Sequence, residues 1–109
     1  MTLYKLCVFV PATHAEAVKQ ALFDAGVGRV GDYDHCAFEL VGQGQFRPLP
    51  GSQPFLGSTG RVERVTEHRI ELVCDQRYLG AALRALVAAH PYQEPAVDLW
   101  PLLDYRQFL

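Results

Sequence analysis

The side chains best suited to chemistry lie in one short stretch, His90-Pro91-Tyr92-Gln93-Glu94-Pro95-Ala96-Val97-Asp98. It sets an imidazole, a phenol and two carboxylates among prolines, after an apolar helical run and before a short apolar strand. Rigid elements on both sides position polar groups accurately, so element ends of this kind are where sites are built. His90, Tyr92 and Glu94 are therefore the candidate ligand-binding residues. His14 is the natural third donor for a metal. With His90 and Glu94 it would offer two imidazole nitrogens and a carboxylate oxygen, leaving water to complete a zinc or copper site. A purely structural role competes with this one. His90 near a helix C-terminus would interact with the last carbonyls, Glu94 would pair with a backbone N–H, and Tyr92 would pack.

The remaining candidates are weaker. His35 and Cys36 are strand neighbours that point to opposite faces, so they are poor joint ligands. His68 is in phase with Ile70 and Leu72 and reads as a core or interface histidine. Glu67, Arg69 and Glu71 share the other face, where a solvated or intersubunit ion-pair row is expected. No serine or cysteine has a base at a usable position, so no catalytic residue is assigned. Gly26 to Gly31 is glycine-rich, but it follows a helix and leads to a strand, the reverse of a dinucleotide-binding loop.

The elements that must position these groups follow from periodicity. Tyr4 to Val10 alternates and reads as a strand buried on both faces near its centre. Thr13-His14-Ala15-Glu16 has the form of a capping box opening a helix with Val18, Ala21, Leu22 and Ala25 inward, stopped by Gly26. A second strand is predicted over His35 to Phe46 and a third over Arg61 to Cys74. The phase slip between Val62 and Val65 in the third predicts a bulge near Thr66 to His68. Residues 47–60, with three prolines and three glycines, form a connection long enough to be functional or interfacial. A second helix, Arg77 to Ala89, turns Leu79, Leu83, Leu86 and Val87 inward, and Ala96 to Leu102 is a final strand. The order β-α-β-β-α-β predicts an α+β ferredoxin-like sandwich: a four-stranded antiparallel sheet with both helices on one face. Its other face would be hidden by sister copies.

Composition bounds the rest. At 109 residues, half of them apolar, the chain suffices for one domain, 1–109, with one core. Ten basic against twelve acidic residues, well mixed, argue against a nucleic-acid surface, which needs an unneutralised basic stripe. No apolar run approaches the roughly 20 residues of a membrane helix, and the alternating N-terminus with Pro11 does not read as a signal peptide. Three widely spaced cysteines suit neither a disulfide framework nor a paired zinc motif, and point to the cytoplasm.

Four motifs in order, Gly31-Asp32-Tyr33-Asp34-His35-Cys36-Ala37-Phe38, Gly44-Gln45-Phe46-Arg47-Pro48, Pro54-Phe55-Leu56-Gly57 and His90 to Asp98, resemble the inserted domain of the YqfO branch of the NGG-interacting-factor-three-like proteins. The resemblance runs from about Tyr4 to Leu102. That insert is similar to CutA and PII signalling proteins, which implies a stand-alone CutA/PII-like domain, a homotrimer, and ligand or metal sensing. The family's two-metal site belongs to flanking domains, so none of its residues is carried over. The resulting expectation is a small binding or regulatory module with ligand sites near subunit boundaries, around His90 to Glu94 and the 47–60 loop. Its rivals are a CutA-like divalent-metal protein using His14, His90 and Glu94, a metal-dependent hydrolase by family name, and an interaction domain docking through its sheet or its Phe108-Leu109 tail.

Overall fold

Alternating apolar residues in the first strand, Leu6, Val8 and Val10, are fully buried against two helices, which fixes the layer order of the whole molecule. The structure, a computed structural model, describes residues 2–109. In chain order it has β1 (Leu3–Pro11), a 3-10 turn (Ala12–His14), α1 (Ala15–Asp24), β2 (Phe38–Phe46), β3 (Glu63–Asp75), α2 (Gln76–Ala89), β4 (Ala96–Leu102) and a second 3-10 turn (Tyr105–Phe108). The strands form one sheet in the order β2-β3-β1-β4, and each adjacent pair is antiparallel. This is the expected α+β ferredoxin-like sandwich, with both helices on one face.

The core joins Leu6, Val8 and Val10 of β1, Ile70, Leu72 and Cys74 of β3, Val18 and Leu22 of α1, and Ala82 and Leu86 of α2. Each large side chain here contributes roughly 1.5–3 kcal/mol by leaving water. α1 stops where Gly26, at φ +99°, donates to Phe23 O at 3.0 Å. α2 starts at Asp75, whose carboxylate accepts from Arg77 N at 2.9 Å.

Several local expectations are corrected. No capping box forms: a 3-10 turn occupies Ala12–His14, and Thr13 Oγ1 bonds to His14 Nδ1 at 2.8 Å instead of capping α1. The second strand begins at Phe38, because His35 is turned to φ +54°. β3 has no bulge; its pairing with β2 is unbroken from Phe38↔Glu71 to Phe46↔Glu63. The apolar phase slips there because β1 ends opposite Glu67, so residues 63–66 have no core beneath them to enforce alternation. Val87 points to solvent, 61% exposed, while Leu79, Leu83 and Leu86 face the core.

The opposite face of the sheet has no helical cover. Cys7 lies there, opposite Glu71 on one side and Asp98 on the other, and is fully buried. Burial raises its thiol pKa, with Arg69 opposing the shift. On the same face β2 presents Phe38 and Leu40, 61% and 53% exposed. β2 and β4 are the sheet edges.

Candidate functional site

The unequal lengths of the strands make a notch at one corner of the sheet. β1 ends at Pro11 opposite Glu67, and β4 begins at Ala96 opposite Phe9. β2 and β3 continue past them as a two-stranded extension. The His90–Pro95 segment and the 47–60 connection fill the notch and leave a cavity of about 400 Å³ between them. Its walls include Phe46, Pro48, Leu49 and Phe55, with Glu67, Tyr92 and Glu94 as polar groups. A few polar groups in a mostly apolar concavity of this size match the general character of small-molecule sites.

The long connection is pinned rather than free. Gly60 N donates to Pro48 O at 2.8 Å and closes its neck, with Pro48 buried beneath. Ser52 Oγ donates to Leu49 O at 2.7 Å, forming a local turn. Gln53 N donates to Gln93 Oε1 at 2.9 Å and ties the tip to the opposite wall.

His90 is the hinge pin of that wall, and it is only 6% exposed. Its Nε2 lies 2.8 Å from Phe9 O, which can only accept, so Nε2 carries the proton. Tyr92 N donates to Nδ1 at 3.1 Å, so that nitrogen offers its lone pair. The ring is thus the neutral Nε2–H tautomer, stitching β1 to the Pro91–Pro95 segment. Burial lowers its pKa, against an upward pull from the Phe9 carbonyl and from Glu67.

Tyr92 projects from the same turn into the cavity wall. Its hydroxyl donates to Glu67 Oε2 at 2.9 Å, and its ring is tilted against Phe46 at 5.8 Å and Phe55 at 6.5 Å between centroids. Desolvation, then the Glu67 carboxylate, hold the phenol neutral well above its usual range. Glu67 can reach Tyr92 because Gly44 leaves room: a Cβ at Gly44 would fall 1.8 Å from Glu67 Oε1. Gly44→Ala should therefore displace the carboxylate and break the Tyr92 bond, costing about 1 kcal/mol. Urea denaturation of Gly44→Ala and Gly42→Ala checks this, since a Cβ at Gly42 meets nothing within 4 Å. Equal midpoints for the two variants would remove this role for Gly44.

The structure separates the residues singled out from sequence. Tyr92 and Glu94 line the cavity, whereas His90 supports it from behind. His14 stands at the same end of the sheet, edge-on to Phe55 at 5.4 Å, with Nδ1 bonded to Thr13. His14, His90 and Glu94 do not assemble as a metal set: among the described residues no group of three or more His, Cys, Asp or Glu is placed to hold an ion. The physical reason is that both ring nitrogens of His90 are already engaged by the backbone. His35 is at the opposite end, tilted against Phe23 at 4.5 Å. His68 Nδ1 is hydrogen-bonded to Glu39, which also binds Lys19 Nζ at 2.7 Å. Lys19 and His68 together hold the Glu39 carboxyl below its usual range.

Glu67, Phe46 and Phe55 are the site residues that sequence reasoning missed. Glu67 was expected in an ion-pair row, and only Arg69–Glu71 of that row forms, at 2.8 Å. The glycines of Gly42-Gln43-Gly44, strand positions without side chains beside an acid on the paired strand, are the signal for its change of role.

No protein-family model matches the chain. It is 47% identical over 102 residues to a GTP cyclohydrolase 1 type 2 homolog of Mycobacterium leprae, covering 94% of this chain and 26% of that protein. It is 44% identical over 100 residues to a Bacillus subtilis protein of the same description, covering 92% and 27%. The chain thus spans about a quarter of the length of these curated relatives, and is homologous to one segment of them. Among solved structures, a Bacillus cereus protein related to NIF3 superposes with TM-score 0.81 at 44% identity, over 94% of this chain and 26% of that one. CutA of Archaeoglobus fulgidus, described as a periplasmic divalent cation tolerance protein, gives TM-score 0.68 at 16% identity over 98% and 91%. That second likeness shows a shared fold. No helix among the described residues is long and apolar enough to cross a membrane.

Proposed function

We propose that this chain is a binding and regulatory module that works as a homotrimer and takes its ligand in the cavity beneath the 47–60 connection. The observation that carries this reading is the cavity itself, with apolar walls, Glu67 fixed by Tyr92, and a connection tied across by Gln53 and Gln93. Tyr92 and Glu94 are the ligand-contacting residues, and His90 holds Tyr92 in place. The chain would correspond to the inserted domain of the YqfO branch, acting in the cytoplasm with Cys7, Cys36 and Cys74 as free thiols.

Subunit boundaries follow from the edges. β2 is an edge strand with Phe38, Leu40 and Val41 exposed, and its last residue, Phe46, lines the cavity. A copy docked along β2 would stand next to the ligand. Light scattering should give a mass about three times the 12.2 kDa of one chain, and Leu40→Glu should reduce it to that of one copy. A single-copy mass for the unaltered protein at high concentration would end the trimer reading. A small-molecule fragment screen followed by amide chemical shifts tests the cavity: hits must cluster on Phe46, Phe55 and Tyr92.

A second reading has its own observation. Leu103, Tyr105, Phe108 and Leu109 are all exposed at the other end of the sheet, which suits docking onto a larger protein. Removal of residues 103–109 would abolish such docking and leave the cavity hits unchanged.

A further inference from the structure

We infer that the ligand of the cavity is a small organic cation of the alkylammonium class. This rests on the cavity being a binding site, as proposed above, and goes on to the chemistry that its walls select.

Three aromatic rings line it, with Phe46 and Phe55 each tilted against the central Tyr92 rather than stacked on it. Rings tilted against one another, rather than stacked, keep part of their negative π faces available to an occupant. The face of an aromatic ring attracts a cation, and several rings around one space form the usual cage for a substituted ammonium group. The polar members point the same way. Glu67 is a half-buried carboxylate that accepts from the Tyr92 hydroxyl, and at neutral pH a carboxylate can only accept. Among the described residues, neither Glu67 nor Glu94 forms a salt bridge with a basic group. Arg47 is the one base in the lining, and it is exposed on the connection. A carboxylate removed from water without a counter-charge is costly, and a bound cation offsets that cost. The neutral phenol, held to Glu67, fixes the carboxylate's direction without cancelling its charge.

The cavity thus combines two carboxylates, ring faces and apolar walls with the neutral polar groups of Gln45, Ser52 and Gln93, and its one base, Arg47, lies on the exposed side. An anion or a sugar phosphate would meet Glu67 and Glu94 as like charges. A neutral apolar compound would leave half-buried Glu67 without a counter-charge. A cation carrying methyl groups satisfies the acids and the rings at once, and its size is compatible with the volume of about 400 Å³.

The test compares choline with its neutral carbon isostere, in which a quaternary carbon replaces the nitrogen. Each is titrated into the unaltered full chain while amide shifts are followed. Choline should perturb Phe46, Phe55 and Tyr92 and bind roughly tenfold more tightly than the isostere. Glu67→Gln should shrink that preference, with the rings and Glu94 keeping the remainder. Glu94→Gln, at an exposed position, gives a second reading of the charge effect that does not disturb the Tyr92 contact. Equal affinities for choline and isostere at these residues would overturn the cation assignment and leave the binding site standing. If neither compound, nor any member of the fragment screen, perturbs the cavity, both the site and its ligand class fall.

Discussion

Replacing His90 by leucine should destabilise the fold by about 3 kcal/mol, because two backbone groups lose their partners at once. Phe9 O and Tyr92 N both bond to this one ring, which is 6% exposed. Leucine fills a similar volume, so little of the loss is cavity. Each orphaned group costs on the order of 1–3 kcal/mol if water cannot reach it. Urea unfolding would measure the difference, and a loss below about 1 kcal/mol would show that water replaces the ring. The same ring sets a pH dependence. Its folded pKa lies below the ordinary value of 6.5, first because of burial, so the unfolded chain binds the proton more readily. Stability is therefore complete above that value and declines as pH falls from it towards the folded pKa. Of the ring's neighbours, Glu67 opposes the lowering of its pKa and His14 adds to it. The lowered carboxylates Glu39, Asp75 and Asp104 lose their contributions only in more acidic solution, so the two regions separate. Stability between pH 7 and 5 should fall for the unaltered protein and stay flatter for His90→Gln. Parallel profiles would assign the acid loss to other groups.

Gly28→Ala should be comparably damaging, on the order of 2–4 kcal/mol. Gly28 has φ +81°, and a Cβ there would lie 2.7 Å from Cys36 O, a backbone atom that cannot move alone. Its own N–H donates to Val73 O at 2.9 Å, and its carbonyl accepts from Cys36 N at 2.9 Å. Those bonds fasten the connection after α1 to β3 at the end of the sheet opposite the cavity. Gly31 provides the control. Its φ is +57°, yet a Cβ there meets nothing within 4 Å. Gly31→Ala should cost only about 1 kcal/mol, the backbone preference alone. Thermal or urea midpoints that rank the two variants equally would mean that the close approach at Gly28 relaxes at no cost. Cavity hits should be unaffected in both, since neither residue lies near Tyr92.

The amino-acid order by itself determined the layers. Period-two apolar residues in Leu6, Val8 and Val10, period-3.6 residues in Val18, Leu22, Ala82 and Leu86, and glycine at position 26 leave few compact solutions for β-α-β-β-α-β. They also bring Tyr92 and Glu94 to the corner where the cavity forms, since strand direction fixes which ends meet. Local signals misled in two places: with no core beneath residues 63–66 the phase slip in β3 became a straight strand, and Thr13 formed no cap because it lies in a 3-10 turn and bonds to His14. Only the tertiary structure decided what each polar group does. His90 reads in isolation as a metal donor, but an imidazole's role depends on what faces its two nitrogens. Here those are Phe9 O, distant in sequence, and Tyr92 N. Glu67 reads as one of a row of surface acids, yet β1 ends beside it and Gly44 gives it room to turn towards Tyr92. Periodicity reports how much of a residue is buried; the partners it finds there come from other strands, and local sequence carries no record of them.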